Sequence, residues 1–171
     1  MKNELTYLFE NINNWLKYAE AKNAGLSAFN VAILIGISQL KADKEIALGL
    51  ALFFTILSIG FNLYSIIPVL DKYFKFYSKK SKEEFENNKD KINMFFFADI
   101  ANLSSKQLVE LIEYKTNTTS DSKNKSHTDI ANQIIVNSEI TLQKFKLFNI
   151  SGYLSICALT CLLINLIEVS T

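Results

Sequence analysis

The sequence lacks arginine altogether, so every one of its basic residues is a lysine. Together with its many Asn and Ile residues, this points to an AT-rich bacterial genome. There is one histidine, His127, and no ligand residue neighbours it, which argues against a metal site and against His-dependent catalysis. The two cysteines, Cys157 and Cys161, lie four apart in an apolar run and share a helix face. They suit thiols packed against helices or lipid and supply neither a disulfide framework nor a zinc site. No glycine-rich phosphate loop, no Ser/His/Asp or Cys/His set and no carboxylate pair with an obvious partner is present. An enzyme is therefore not expected, and neither is a metal or a cofactor. A net charge of +1 lacks the concentrated basic excess of a nucleic-acid binder, so no nucleic-acid partner is expected. The first 23 residues carry Glu4, Glu10 and Glu20 among isolated apolar positions, unlike a cleaved signal peptide.

What the chain does have is long uncharged runs. Residues 46–70 are 25 in a row without a charged side chain. As a helix they would extend about 37 Å, enough to cross a bilayer core of roughly 30 Å with some tilt. Two further apolar runs, 24–40 and 147–167, complete a set of three predicted spans. These runs alternate with stretches dense in Lys, Glu and Asn, so the modest mean hydropathy of +0.14 averages two populations. Lys72, Lys75, Lys79, Lys80 and Lys82 crowd the exit of the second span, against two lysines in the turn at 41–45. By the positive-inside rule 71–146 is cytoplasmic, as is the N-terminus, and the turn and the C-terminal residues lie on the far side.

Leu5, Leu8, Phe9, Ile12, Trp15, Leu16 and Ala19 follow the spacing of a single helical stripe, giving an amphipathic cytoplasmic helix over 1–23. With no proline before residue 68, residues 3–40 are expected to form one continuous helix of about 55 Å. Asn30 in the first span and Asn62 in the second are read as interhelical hydrogen-bonding residues that fix membrane helix packing. Pro68 is expected to kink the second span near its cytoplasmic end, where Tyr64, Tyr73, Phe74, Phe76 and Tyr77 read as interfacial anchors.

Within 71–146, residues 79–91 are charged on all sides and read as a solvated helix or linker. Ile92 to Ile100 condenses apolar and aromatic residues in a piece too short to span, so it must bury against other helices or a partner. Ser104 with Gln107 resembles a capping box opening a helix that ends near Tyr114. Residues 116–128, His127 included, read as a loop. A second long helix is predicted from about Asp129 to Ile167, with a polar strip of Gln133, Asn137 and Lys144 between faces containing Ile134 and Val136. The fold class is thus an all-α membrane protein. Three transmembrane helices are joined to a helical cytoplasmic layer made by extensions of the first and third and by short helices in 71–146.

Three segments carry a family resemblance: Asn14 to Asn23 leading into the first span, Phe97 to Ser104, and Ala131 to Phe148 leading into the last span. In order and character they resemble the transmembrane effectors of Pycsar antiphage systems, over nearly the whole chain. The resemblance implies a multi-pass effector of the bacterial inner membrane. Such a protein senses a cyclic nucleotide, cyclic CMP or cyclic UMP, made during phage infection and disrupts membrane integrity, causing abortive infection. A nucleotide needs cations or amides for its phosphate and a ring or amide edge for its base. Lys22, Asn23, Asn137 and Lys144 are candidates for the first, and Phe97 and Asp99 for the second. Three spans with few polar groups cannot line a pore alone, so a homo-oligomer is expected. The alternative is a non-gated scaffold or accessory subunit that binds a cytoplasmic partner through Ile92 to Ile100. A small transporter is weaker, since mid-membrane polarity is limited to single asparagines.

Overall fold

The computed structural model describes residues 1–40, 45–67, 79–117 and 125–169. Among these, six helices and no strand occur: α1 (Lys2–Gln39), α2 (Glu45–Ile66), α3 (Lys82–Asn88), α4 (Phe97–Ile100), α5 (Ser105–Thr116) and α6 (Lys125–Val169). The fold is all-α, and α1, α2 and α6 are each long and apolar enough to cross a membrane. The expectations for the turn at 41–44, the kink at Pro68, the lysines at 72 and 75 and the anchors at 73–77 lie outside the described residues. Two compact units are present, one from residues 1–18 and 69–143, the other from 19–68 and 144–171. The helices α1 and α6 run without interruption and contribute to both.

The second unit wears its apolar side chains outward. Val31, Ile35, Phe53, Ile56, Leu63, Tyr153, Ile156 and Ile167 are exposed, while Asn23, Asn30, Thr55, Ser58, Asn62, Ser65, Ser151, Ser155 and Asn165 are buried. That inversion suits a bundle solvated by lipid, in which hydrophobic burial gives no advantage and small polar residues let helices approach and bond. On α2 the buried positions are Ala51, Thr55, Ser58, Asn62 and Ser65, alternating steps of four and three, the spacing of a helix seam.

Four of these side chains tie the three helices together. The Asn30 Nδ2 donates to Ser58 Oγ at 2.7 Å, and Ser155 Oγ donates to Asn30 Oδ1 at 2.6 Å. Ser58 Oγ donates to the Ser151 carbonyl at 2.8 Å, and Ser151 Oγ returns a bond to the Ser58 carbonyl at 2.9 Å. Both atoms of the Asn30 amide are thereby satisfied. One to two turns further along, Ile33, Ile37 and Ala51 form an apolar core with Leu48, Leu159, Cys161 and Leu162 around it. These pairings make α2 antiparallel to α1, with α6 parallel to α1.

In the other unit, Leu5, Leu8 and Ile12 of α1 are fully buried, as the stripe requires, together with Ile100, Leu103, Leu108, Leu111, Ile112 and Ile134. The capping box is present: Ser104 accepts from Gln107 N, and the Gln107 side chain accepts from Ser104 N at 2.8 Å. Asn117 closes α5 in the left-handed conformation. Three features differ from the sequence expectation. The charged stretch 79–91 holds α3, capped by Ser81 and pinned by Phe85, which is wholly buried. One buried ring anchors a helix too short to stand alone. The helix α6 begins at Lys125, so His127 lies in its first turn and not in a loop. Val136 is half exposed, which leaves Ile134 and Ile135 as the buried apolar pair there.

Lys89 joins α3 to α5, reaching Glu86 at 3.3 Å and Glu110 at 3.4 Å while its ammonium lies 4.7 Å from the Tyr114 ring centre. The Lys89 hydrogen bond holds the Glu86 carboxyl below its ordinary range, and the same bond raises the Lys89 ammonium. Tyr114 donates to Asp90, which raises the phenol. A lowered carboxyl contributes stability above its unfolded value and loses it as pH falls through the folded one. A raised ammonium or phenol contributes below its unfolded value and loses it as pH rises through the folded one. Stability of this unit is therefore expected to plateau near neutrality and to fall below about pH 4 and above about pH 10. Tyr114→Phe should flatten the alkaline limb in thermal melts of detergent-solubilised protein; an unchanged limb would refute the assignment. For the bundle, Ser58→Ala leaves the Asn30 amide without its acceptor and should cost about 1–3 kcal/mol. Unfolding in mixed micelles checks this, with Ser38→Ala, an exposed hydroxyl, as the neutral control.

Candidate functional site

Three of the sequence-derived ligand residues meet in the lipid-facing unit. Asn23 is buried, and its Nδ2 donates to the Ala19 carbonyl at 2.9 Å and to the Lys144 carbonyl at 3.3 Å. The Lys144 ammonium donates to the Ser65 carbonyl at 2.9 Å and lies 3.5 Å from a Glu20 carboxylate oxygen. The Lys22 ammonium sits over the rings of Phe148 and Phe145, 5.0 and 5.6 Å from their centres. Glu20 and Lys22, two apart on α1 and unable to pair with each other, thus both engage α6. Each cation already has a protein partner, so a phosphate arriving here would have to displace one.

The other three belong to the charged unit, and each is engaged. Phe97 is buried against Trp15, 5.3 Å between ring centres, and against Phe96 at 4.8 Å. Asp99 accepts from the Asn93 backbone N–H at 2.8 Å. Asn137 donates to Asn13 Oδ1 at 2.8 Å, linking α6 to α1. These contacts organise the Ile92 to Ile100 segment more than they present a surface to a ligand.

Beside them a recess of about 470 Å³ opens, lined by Asp90, Lys91, Ile92, Asn93, Met94, Phe95 and Lys115. It is shallow and largely open to solvent. Its shape depends on local bonds: Asn93 is held by Asp99 on one side, and its Oδ1 accepts from Phe95 N at 3.0 Å on the other. Lys115 donates to the Asp90 carbonyl at 2.7 Å, which fixes the far wall. The Lys91 ammonium, the Asn93 amide nitrogen and the exposed Phe95 ring can meet an anionic ring compound, against the like charge of Asp90 and with Lys115 already bonded to the Asp90 carbonyl. The sequence offered little to find it, because Lys91 and Lys115 are 24 residues apart and look like ordinary solvated lysines.

Of the two packing asparagines, Asn30 completes the hydroxyl ring described above. Asn62 is equally buried, yet neither atom of its amide has a hydrogen-bond partner among the described residues. Ser58, Ser151 and Ser155, the other members of the ring, were not singled out from sequence. The signal was present in the seam spacing of Thr55, Ser58, Asn62 and Ser65 within an uncharged run.

No curated protein and no solved structure matches the chain significantly. A family model described as the Pycsar effector protein domain matches residues 4–169, nearly the full length. With three helices able to span a bilayer, the protein is a membrane protein and belongs to the family of Pycsar effectors that act in antiphage defence.

Proposed function

We propose that the protein is a ligand-gated effector of the bacterial inner membrane that senses a cyclic nucleotide, cyclic CMP or cyclic UMP, and disrupts membrane integrity to abort infection. The observation that carries this reading is the continuity of α1 and α6, 38 and 45 residues long, each shared between a lipid-suited bundle and a charged helical unit. A ligand bound by the charged unit can bias the bundle through shared helices, provided it binds two arrangements unequally. Residues 71–146 and the N-terminus are cytoplasmic in this reading, the spans are 24–40, 46–70 and 147–167, and the active form is a homo-oligomer in the bilayer.

For the nucleotide we favour the recess at Lys91, Asn93, Phe95 and Lys115 over the residues chosen from sequence. The recess places the exposed Lys91 and the Phe95 ring beside open space, with Lys115 bonded to the Asp90 backbone on its far wall, whereas Lys22, Asn23, Asn137 and Lys144 are engaged in interhelical contacts. Asp99 acts there as a positioning residue, holding the Asn93 backbone. The scaffold reading retains one observation in its favour. Tyr7, Phe95 and Phe96 are exposed at 58%, 42% and 38%, and Tyr7 meets Phe95 edge-on at 5.8 Å, a patch suited to a protein partner.

Liposomes carrying the full-length protein should leak dye when given cyclic CMP or cyclic UMP and not when given cyclic dinucleotides. Lys91→Ala and Lys115→Ala should each raise the half-maximal nucleotide concentration roughly tenfold, the loss of one charge-assisted bond. Lys106→Ala, an exposed lysine of α5 away from the recess lining, should leave it unchanged. Silence with every nucleotide in a folded preparation would reject sensing and favour the scaffold. A nucleotide response indifferent to both lysines would reject the recess alone.

A further inference from the structure

The interior of the lipid-facing bundle holds polar groups in two different conditions. Around Asn30 they satisfy one another, and this accounts for them as helix-joining contacts. One to two turns along α2, toward Lys144, they do not. Asn62 is fully buried with both amide atoms unpartnered among the described residues, the Ser65 hydroxyl is in the same condition, and so is the Asn23 side-chain oxygen. These three belong to one stretch of the interior. Ser65 follows Asn62 by one turn on the same face of α2, and Lys144 links Ser65 to Asn23 through its ammonium and its own carbonyl. A buried amide that bonds no other helix does not hold the bundle together. In lipid such a group is a candidate contact for water or an ion.

The opposite stretch has the reverse character. Beyond the Asn30 ring the interior is closed by Ile33, Ile37 and Ala51, with Leu159 and Leu162 beside them. Past that core, about one turn beyond Leu162 on α6, Asn165 is again buried with its side-chain oxygen unpartnered among the described residues. The order along the bundle is therefore polar, apolar, polar. An apolar constriction in a polar path excludes water until it widens, which is how hydrophobic gates work.

We propose that, in the homo-oligomer proposed above, the face carrying Asn23, Asn62, Ser65 and the Asn30 ring is the surface that water and small cations touch in the conducting state. Ile33, Ile37 and Ala51 are the plug that keeps it dry at rest. This deepens the membrane-disrupting role proposed above and rests on it, but it does not depend on which ligand opens the path.

The test uses full-length protein in potassium-loaded liposomes, with potassium efflux followed by a potential-sensitive dye and no nucleotide added. Ile37→Asn should conduct at least roughly tenfold faster than wild type, because a polar side chain wets the plug. Ala51→Ser, which adds a single oxygen and disturbs folding least, should move in the same direction. Ile35→Asn, on the exposed face of the same helix, should not. Adding Asn62→Leu to Ala51→Ser should remove the gain. Efflux raised equally by Ile35→Asn and Ile37→Asn, or unaffected by Asn62→Leu, would overturn the proposal. So would silence of both plug variants while wild type still answers a nucleotide, an outcome that leaves the sensing reading intact. Plug variants that conduct in a protein no nucleotide activates would support the path and reject the sensing. A second readout does not depend on flux. With Cys157 and Cys161 replaced by alanine, Asn62→Cys should react with a water-soluble thiol reagent several-fold faster when Ala51→Ser is present, and an unchanged rate would count against the path.

Discussion

The packing of the lipid-facing bundle depends on one interaction, the hydrogen-bonded ring around Asn30, in which polar side chains placed among apolar helices find their partners inside the protein. The Asn30 amide takes Ser58 as acceptor and Ser155 as donor, which fixes the rotation of all three helices at once. Ser151 adds the reciprocal bonds to α2 that hold the register. Lipid gives no preference for which face of an all-apolar helix turns inward, so this ring supplies the choice. The outward display of Ile, Leu and Phe and the inward seam of Thr, Ser and Asn both follow from it. The apolar core at Ile33, Ile37 and Ala51 then needs only to fit the space that the ring defines.

The charged unit solves a different problem with different means. It has water on its outside, so burial of Leu5, Leu8 and Ile12 against Ile100, Leu108 and Ile112 drives its formation. Its short helices are too brief to persist alone and are secured individually, α3 by the Phe85 ring and the Ser81 cap, α5 by its capping box. Lys79, with bonds to the Ala101 carbonyl and to Glu139, anchors the chain entering α3. The aromatic segment Phe95 to Phe97 divides its rings between roles, Phe97 inward against Trp15 and Phe95 outward to the recess and Tyr7.

Much of this was legible in the sequence, for reasons that can be named. Three uncharged runs and an unbroken amphipathic stripe at Leu5 to Ala19 report on length and period alone, which is why the helices and their class could be read directly. The capping box at Ser104 is a local code and was equally plain. Phe85 was missed because one ring among seven mostly charged residues carries no periodic signal, and only tertiary structure says that it is buried. The lysines of the recess escaped for a related reason, since a turn and a helix end bring them together and no spacing encodes it. Lys22, Asn23 and Lys144, named from sequence as ligand candidates with Asn137, have partners that no spacing reveals, since Glu20, Ser65 and the rings of Phe145 and Phe148 lie on three different stretches of chain.

The unbroken course of α1 and α6 sets a rule for how this chain can change length. Each residue in a helix advances the phase by about 100°, so one residue inserted between Gln143 and Ser151 would turn Ser151 and Ser155 away from Asn30 while Ile134 stayed where it is. No loop or proline stands in that interval to absorb the slip. Insertions of seven or eleven residues would restore the phase but lengthen α6 by roughly 10 or 16 Å, so they would need an equal insertion in α1. The two helices thus act as a ruler whose divisions are shared by both units, and drift in one unit's register would have to be matched by the other.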